Sequence, residues 1–426
     1  MQTQSKLKSQ LVQLDVIRGL AIIGVFLFHL YGYTFDNDEF PFLGNFRDYS
    51  QIPNSAFLIF SPYQYGYLGV TLFFILSGFC IHLSFLRYTS TLEEKGIIFR
   101  FDIFVKDFFI KRFFRIYPAY LVALLLFSFV SFVFKIDFDT PLKINTEGII
   151  DFFSHIFLIQ NFSELTLTRI NPSFWSIPIE FQLYIIYPLF LILRNKLGIT
   201  KATLVIFVFQ VLYSPLALEL DRQIDSIGHD LHLLNKIKDL ISSLSIFNNS
   251  PLNYWFTWVI GAYLAENILS KNKKILNFSF KHNLFFLILF IISYEYKPFS
   301  TIGNLAIIFL FASLIEIYII DRKKIGFIEN SIAKIGLCSY SIYLFNEPLI
   351  MYGRACIEKL FKLLFNFNFQ YLQHPYFMCT LGAVAIFIPI FIISWFSYKY
   401  LEIPTHRLGR RLVQGKGVSK AIEKRI

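Results

Sequence analysis

The chain has 426 residues, of which 55% are hydrophobic and only 16% are charged. This composition is too apolar for an ordinary soluble protein, and apolar segments of membrane-spanning length recur along the whole chain. The net charge of +11 does not indicate nucleic-acid binding. No basic run is interleaved with aromatic residues in a soluble segment, and membrane proteins concentrate Lys and Arg in their cytoplasmic loops. We therefore predict a multi-pass protein whose main surroundings are the lipid bilayer.

The apolar segments predict an all-α integral membrane fold with about ten transmembrane helices, ten or eleven. With approximate bounds, the ten segments are 14–33, 66–86, 115–134, 174–193, 202–218, 251–268, 283–296, 301–320, 335–352 and 376–400. A cytoplasmic N-terminus places most of the 40 Lys and Arg residues on the cytoplasmic side, in agreement with the positive-inside rule. Both termini are thus expected in the cytoplasm, with a membrane domain at 1–410 and a basic tail at 411–426.

Two segments between the predicted spans have patterns that differ from that of a full membrane span. The stretch IIDFFSHIFLIQN (149–161) is short, and as a full span it would move the basic segment 194–201 to the outside, so we predict a re-entrant or interfacial segment. In 229–247, Leu and Ile recur at helical spacing opposite polar residues. This pattern predicts a helix on the outer membrane surface.

The cysteines carry no sign of a metal site. Cys80, Cys338, Cys356 and Cys379 are scattered through apolar segments, without a CxxC pair and without His or Asp at ligand spacing. They are expected to be buried small side chains.

The first span, LDVIRGLAIIGVFLFHL (14–30), contains three ionisable residues, Asp15, Arg18 and His29. Such residues are expensive inside a membrane and indicate function by default. Arg18 and His29 share a helix face but lie about 16 Å apart along the axis, so they could line one passage without touching. Asp15 can pair with Arg18, and that pair could also simply anchor the helix end. His29 is either a buried imidazole bonded to a neighbouring helix or a general base.

A basic cluster occurs in KDFFIKRFFRIYPAY (106–120), where Arg112 and Arg115 are one helical turn apart. They are predicted at the cytoplasmic entrance of the third span, where arginines are well suited to bind phosphate. The alternative is ordinary positive-inside anchoring.

A third group lies in NPSFWSIPIEFQLYIIYPL (171–189), at the predicted outer start of a span. Ser176, Glu180 and Tyr184 follow one another at four-residue spacing on one face. Pro178 predicts a kinked or unwound helix near Glu180, as occurs beside a cavity. The alternative is a structural Glu that pairs with another helix.

Three smaller motifs are, taken singly, more typical of packing or helix-end anchoring than of chemistry. Ser77 and Gly78 in FFILSGFCIH allow helices to approach closely. Asn346 and Glu347 lie inside the predicted span CSYSIYLFNEPLI (338–350), and the third motif is YLEIPTHRLGRRL (400–412).

Taken together, six stretches occur in the order typical of one family: LDVIRGLAIIGVFLFHL, FFILSGF, IKRFFRIYPAY, FWSIPIEFQLYIIYP, SYSIYLFNEP and YLEIP. From about residue 11 to 410 the chain resembles the membrane-bound acyltransferase-3 family. The resemblance implies an O-acetyltransferase-type enzyme of the bacterial inner (cytoplasmic) membrane. Such an enzyme takes an acyl group, usually acetyl, from cytoplasmic acyl-CoA as co-substrate, without a bound cofactor. It transfers the group to a hydroxyl of an extracytoplasmic carbohydrate or lipid-linked glycan.

The resemblance also implies roles for individual residues. His29 would be the catalytic histidine and Arg18 its signature partner, while Glu180 matches the acidic residue of a Trp-Ser-x-x-x-Glu stretch. Arg112 and Arg115 match an Arg-x-x-Arg pair. The phosphates of CoA would dock near these two arginines and Arg18, with the thioester near His29. His29 would then act as a general base or form a transient acyl-histidine.

Two departures from the family bear on mechanism. Relatives often have His at the position of Asn346, and an Asn cannot titrate, so a proton role there is in doubt. Some relatives also carry a C-terminal extracytoplasmic hydrolase-like domain, whereas only a short tail follows the last predicted span here. The protein is therefore expected to acylate its acceptor directly or to use a separate extracytoplasmic partner.

Two other classes of function remain open on the residues alone. A carrier or flippase for a small molecule or lipid-linked sugar would also bury Arg, His and Glu, although no internal inverted repeat is visible. A scaffold or sensor would use these residues only to hold helices together. Within the enzyme class, acceptor specificity is expected in the outer loops 34–65, 135–173 and 219–250. Lipopolysaccharide O-antigen is the preferred acceptor.

Overall fold

The computed structural model describes residues 2–35, 42–48, 62–134, 146–230, 243–271, 274–321, 325–365 and 383–423. Within these residues the chain is almost entirely helical, with one two-stranded antiparallel hairpin, β1 (Phe42–Leu43) and β2 (Phe46–Arg47). Gly44 takes a φ of +64° in the connecting turn, a conformation that glycine adopts without strain. Within the described residues, this hairpin is the one departure from the all-α prediction.

The helices occur in the following order. They are α1 (Gln2–Phe35), α2 (Leu68–Glu94), α3 (Phe101–Phe134), α4 (Thr146–Ile156), α5 (Glu164–Leu167), α6 (Ser176–Leu197), α7 (Ile199–Asp230), α8 (Trp255–Lys271), α9 (Phe280–Glu295), α10 (Ser300–Asp321), α11 (Phe327–Leu337), α12 (Ser339–Phe365), α13 (Ala383–Ser397) and α14 (Ile403–Glu423). A five-residue π-helical segment, Tyr398–Glu402, joins α13 to α14.

Seven helical segments in the described residues are long and apolar enough to cross a membrane. They are Val12–Leu30, Leu68–Glu94, Phe101–Val130, Pro172–Leu197, Ile199–Ser226, Ser300–Asp321 and Ala383–Val413. The other three predicted spans coincide with α8, α9 and α12. The first two have only 17 and 16 residues, and α12 carries Asn346 and Glu347. The multi-pass prediction is thus confirmed, and the count of about ten is not.

The segment 149–161 does not form a full span. Helix α4 has 11 residues, so it is about 16 Å long and far shorter than the hydrocarbon core of a bilayer. Its apolar residues Ile149, Ile150 and Phe153 are exposed, whereas Asp151 and His155 are buried. The predicted surface helix at 229–247 lies mostly outside the described residues, since α7 ends at Asp230 and the description resumes at 243.

The chain divides into two compact units. The first comprises Met1–Leu83 and Thr257–Ile392, and the second comprises Ser84–Phe256 and Ile393–Ile426. In the first unit α1 packs against α11 and α12. The backbones of α1 and α11 approach closely because Gly19 faces Ile332 and Gly336 faces the carbonyl of Asp15. Small residues at such crossings are the usual solution in membrane helices.

The α2–α8 crossing in the first unit confirms the close approach predicted from Ser77 and Gly78. A Cβ on Gly78 would clash with the carbonyl of Trp258, and a Cβ on Gly261 would clash with the carbonyl of Ile75. Two helices whose glycines face each other's backbone cannot tolerate an added methyl group without moving apart.

In the second unit α3 packs along α14, where Gly409 lies against the side chain of Phe114. Helix α6 follows a short 3-10 turn, Pro172–Trp175, and ends at Gly198, whose amide donates to the carbonyl of Arg194. Pro178 lies in the first turn of α6. A proline there costs no helical hydrogen bond, so it starts the helix instead of kinking it near Glu180.

Candidate active-site residues

The residues predicted to carry function fall into two groups, one in each unit. Asp15, Arg18, His29, Ser77 and Asn346 belong to the first unit. Arg112, Arg115, Ser176, Glu180 and Tyr184 belong to the second.

His29 on α1 is held by Asn346 on α12. The amide nitrogen Nδ2 of Asn346 lies 2.8 Å from Nδ1 of His29, across 317 residues of sequence. Asn346 is fully buried, and the His29 side chain keeps 14% exposure. The imidazole is therefore oriented by a buried neighbour and remains partly accessible.

The tautomer of His29 depends on which way the Asn346 amide faces. When Nδ2 donates to Nδ1, the proton of the neutral ring sits on Nε2. When the amide oxygen instead accepts from Nδ1–H, Nε2 is left with a lone pair and can act as a base. Asn plays this orienting part for His in Cys-His-Asn enzymes. The inability of Asn346 to titrate thus does not prevent a role in catalysis.

Glu347, next to Asn346, completes the group around His29. Its Oε2 lies 3.9 Å from Nε2 of His29, and its side chain is only 2% exposed. This is too long for a hydrogen bond, but a carboxylate at that distance stabilises the imidazolium that forms when His29 takes a proton. Glu347 is not among the residues that the sequence predicts to carry function. The available signal was a carboxylate inside an apolar segment.

Arg18 does not interact with His29 and instead joins two nearer groups. Its Nη1 lies 2.6 Å from Oδ1 of Asp15, which confirms the predicted pairing, and its Nη2 donates to Sγ of Cys80 at 2.9 Å. Because α1 is one continuous helix, the predicted axial separation of about 16 Å between Arg18 and His29 holds.

Ser77 has a structural contact. Its Oγ accepts a hydrogen bond from Nε1 of Trp258 at 3.3 Å, at the tight α2–α8 crossing. The contact agrees with the packing alternative for the motif that contains it.

In the second unit Glu180 and Tyr184 form a direct pair. The Tyr184 hydroxyl donates to Oε1 of Glu180 at 2.5 Å, and Tyr184 is 2% exposed. Ser176 is buried at the first position of the same helix. Ser176, Glu180 and Tyr184 therefore lie on one face of α6, as predicted. A strong charge-assisted hydrogen bond joins Glu180 and Tyr184.

Arg112 and Arg115 approach this pair from α3. The guanidinium carbon of Arg112 lies 5.9 Å from the ring centre of Tyr184 and 5.5 Å from that of Phe108. Both arginines interact electrostatically with Tyr184. Helix α3 begins at Phe101 and not near 115, so the two arginines lie roughly three to four turns after its start.

Helix α14 adds two residues from a motif whose pattern is typical of packing or helix-end anchoring. His406 lies within electrostatic range of Arg115, Arg410 and Arg112. We call Arg112, Arg115, His406 and Arg410 the basic cluster. Three of the four members are guanidinium groups, which suit phosphate oxygens. The arrangement is therefore suited to a phosphate-bearing ligand.

Comparison with known proteins assigns the family. The acyltransferase domain profile of acyltransferase family 3 matches residues 11–399. The chain is 26% identical to the peptidoglycan O-acetyltransferase OatA of Listeria monocytogenes, over 93% of this chain and 56% of that protein. It is 27% identical to YrhL of Bacillus subtilis, provisionally named a peptidoglycan O-acetyltransferase, over 81% of this chain and 51% of that protein.

A third relative, an uncharacterized protein of Haemophilus influenzae, is 33% identical over 29% of this chain and 49% of its own length. The chain thus spans about half the length of the curated relatives it matches. No solved structure matches it significantly. The family profile covers nearly the whole chain, so this multi-pass membrane protein belongs to the acyltransferase-3 family.

Proposed function

We propose that this protein is a membrane O-acetyltransferase that moves an acetyl group from acyl-CoA to a hydroxyl of an extracytoplasmic carbohydrate. The observation that carries the proposal is the group around His29. A partly accessible imidazole is oriented by a buried Asn346 and faces a buried Glu347 at 3.9 Å. The match to the family and the names of the two longer-matching relatives support the same chemistry.

At His29 the proposed step is general-base catalysis. Nε2 takes the proton of the acceptor hydroxyl while the hydroxyl oxygen attacks the thioester carbonyl carbon. The C–S bond breaks, the acetyl ester forms, and the departing CoA sulfur receives the proton from the imidazolium. Asn346 would hold Nδ1–H so that Nε2 is the base, and Glu347 would stabilise the transient positive charge.

For the donor, we propose that the basic cluster binds the phosphates of acyl-CoA. CoA carries several phosphate charges, and Arg recognises phosphate oxygens with paired N–H groups. Arg112 and Arg115 come from α3, and His406 and Arg410 from α14. Glu180 and Tyr184 border the cluster, and we propose that their hydrogen bond orients the guanidinium of Arg112. Arg18, which is bound to Asp15 and Cys80 in the first unit, is a separate candidate for binding acyl-CoA.

The proposal also includes the glycan acceptor and the location of the protein in the cell. The two relatives are named for peptidoglycan, whereas the sequence favoured lipopolysaccharide O-antigen, and we propose a surface or cell-wall glycan of one of these two kinds. The protein would lie in the bacterial cytoplasmic membrane with both termini inside. A separate extracytoplasmic partner is a further proposal for the final transfer to the glycan.

The test is mass spectrometry of peptidoglycan, lipopolysaccharide and other surface glycans from a deletion strain. The strain is complemented with the wild type, His29→Ala, or a matched control, His282→Ala. His282 is an exposed residue that caps the start of α9, outside both groups. We expect an acetyl-sized mass difference that the wild type and the control restore and His29→Ala does not, at equal protein abundance.

Each contrary outcome has a definite meaning. Restoration by His29→Ala would refute the general-base role. No mass difference in any glycan would refute the carbohydrate acceptor and favour the carrier alternative.

A further inference from the structure

The short hairpin that follows α1 carries an exposed apolar pair. Leu43 and Phe46 lie directly opposite each other in β1 and β2 and flank the turn at Gly44 and Asn45. Residues opposite each other in an antiparallel pair point to the same face of the sheet. Leu43 is 77% exposed and Phe46 is 62% exposed. Two large apolar side chains this exposed on one face indicate contact with another apolar phase or molecule.

Arg47, the last residue of β2, attaches the hairpin to the end of α9. Its Nε donates to the backbone oxygen of Tyr294 at 2.7 Å, and its guanidinium carbon lies 3.6 Å from the centre of the Tyr294 ring. Phe46 forms an antiparallel bridge with Tyr296, and their ring centres are 4.9 Å apart. A two-stranded hairpin is at best marginally stable alone in water. These contacts therefore hold the apolar pair in place.

Helices α9 and α10, which pack against each other, carry an exposed apolar surface that extends to the level of the hairpin. On α10 this surface begins with Ile302, which is 46% exposed. In a membrane protein such a surface faces the acyl chains of the lipids, which are as apolar as Leu. On α9 it consists of apolar residues that recur at helical spacing, namely Leu284, Phe285, Ile288, Ile291 and Ile292.

Phe299 and Tyr296 join this lipid-facing surface to the hairpin. Their ring centres are 5.0 Å apart, and Phe299 is 43% exposed. The membrane-spanning segment of α10 begins at Ser300, directly after Phe299. We call Leu43, Phe46, Tyr296 and Phe299 the apolar patch. The patch thus lies at the end of a span, at the level where aromatic residues of membrane proteins are enriched.

The backbone of the hairpin limits how deep it can lie in the bilayer. A two-stranded sheet leaves N–H and C=O groups unpaired along its edges, and hydrocarbon cannot satisfy them. The side chains of Leu43 and Phe46 can still reach the boundary between headgroups and acyl chains, as the apolar side chains of interfacial helices do. The favourable depth is therefore the interface, and not the hydrocarbon core or bulk water.

We propose that the β1–β2 hairpin is an interfacial membrane anchor, which inserts the apolar patch at the boundary between headgroups and acyl chains in the leaflet at which α1 ends. The occupant of the patch is lipid, because the patch continues the lipid-facing surface of α9 and α10. The inference does not depend on the proposed chemistry.

The anchor is connected to the candidate base by a layer of aromatic rings. Tyr294, which holds Arg47, stacks on Tyr67 with 6.3 Å between ring centres. Tyr67 contacts Phe28 at 5.7 Å, and Phe28 contacts His29 at 5.7 Å. The anchor therefore fixes the depth of this layer, and of the end of α1 that carries His29, relative to the bilayer surface.

The experiment places a tryptophan in the hairpin of the full chain and measures its depth in lipid nanodiscs. Phe46→Trp keeps an aromatic side chain in the patch, and Leu43→Trp provides a second position. Glu94→Trp is the control, because Glu94 is exposed in the polar segment TLEEKG at the end of α2. The lipids are brominated either near the headgroup or near the end of the acyl chain. Wild-type fluorescence, from four native tryptophans, is subtracted.

We expect bromine near the headgroup to quench the added fluorescence of Phe46→Trp and Leu43→Trp at least about twofold more strongly than that of Glu94→Trp. In both hairpin variants, bromine near the headgroup should also quench more strongly than bromine near the chain end. Acrylamide, a quencher dissolved in water, should show the reverse order and quench Glu94→Trp most strongly.

Other results overturn the anchor. Quenching by bromine that is no stronger in the hairpin variants than in Glu94→Trp would place the patch in water. Strongest quenching by bromine near the chain end would place it in the hydrocarbon core. Protection from both bromine and acrylamide, or loss of folded protein in both hairpin variants, would show that protein covers the patch. Protection from acrylamide only after addition of soluble muropeptide or O-polysaccharide would identify a glycan as the occupant.

Discussion

Asn346 hydrogen-bonds His29 at 2.8 Å, although the two residues are 317 positions apart and lie on different helices. The side chain that contacts the histidine expected to perform the chemistry is thus an amide, which cannot titrate. An orienting hydrogen bond needs no proton exchange, so the substitution is compatible with an active His29.

Removal of the Asn346 amide should impair catalysis more than folding. We expect Asn346→Ala to lower kcat for acetyl transfer about ten- to a hundredfold, because a ring that loses its orientation seldom presents Nε2 correctly. Asn346→His keeps a ring nitrogen that can bond Nδ1 of His29 and should stay within about threefold of wild type. Wild-type kcat in Asn346→Ala, at equal membrane abundance, would contradict the orienting role.

The charge of Glu347 should matter in the transition state. Glu347→Gln keeps the shape of the side chain but removes the carboxylate that faces Nε2 of His29 at 3.9 Å. We expect kcat to fall about tenfold with little change in KM, since the imidazolium exists only after His29 takes a proton. Steady-state kinetics against Glu219→Gln, an exposed carboxylate on α7, provides the comparison. A parallel rise in KM would argue instead for a substrate contact.

The basic cluster predicts a difference between two adjacent arginines. Arg410 and Arg411 are both exposed on α14, and Arg410 lies within electrostatic range of His406 and Lys111. Arg410→Ala should raise the KM for acetyl-CoA about five- to tenfold, and Arg411→Ala less than twofold. The Arg410 effect should shrink as ionic strength rises, because salt screens the attraction to phosphate. Equal effects of the two substitutions would point to general surface charge.

The Tyr184–Glu180 hydrogen bond should stabilise the second unit. Tyr184→Phe removes the buried hydroxyl that donates to Glu180 at 2.5 Å. A double-mutant cycle with Glu180→Gln, measured by thermal unfolding in detergent, should give a coupling free energy of about 1–3 kcal/mol. Additive single effects would show that the short contact contributes nothing to stability.

Substitution of two helix glycines by alanine should change the stability of the protein in opposite directions. Gly78→Ala places a methyl group against the carbonyl of Trp258 and should destabilise the protein by about 1–3 kcal/mol. In Gly353→Ala the new Cβ would lie 3.7 Å from Ile386, an ordinary contact, and removal of a helical glycine should stabilise by up to about 1 kcal/mol. Unfolding temperatures in the same detergent would separate the two cases, and similar temperatures would refute the tight α2–α8 crossing.

The sequence by itself determined the features that depend on local spacing. Long apolar runs predict membrane helices because the bilayer demands about 20 apolar residues for each crossing, and the helices lie where those runs are. The Asp15–Arg18 pair and the face shared by Glu180 and Tyr184 follow from three- and four-residue spacing. Local spacing also gave a wrong prediction at Pro178, which does not kink the helix near Glu180. Only the observed start of α6 shows that this proline costs no hydrogen bond.

Only the tertiary structure decided which distant residues meet. Helical periodicity gives the side of a helix on which a residue lies but does not identify the helix that covers that side. Asn346 beside His29, Arg112 beside Tyr184, and His406 within electrostatic range of Arg115 each join separate helices. In a bilayer, burial of apolar surface does not favour one helix pair over another, because lipid is as apolar as Leu. Close packing of small residues and a few polar contacts therefore determine how these helices associate.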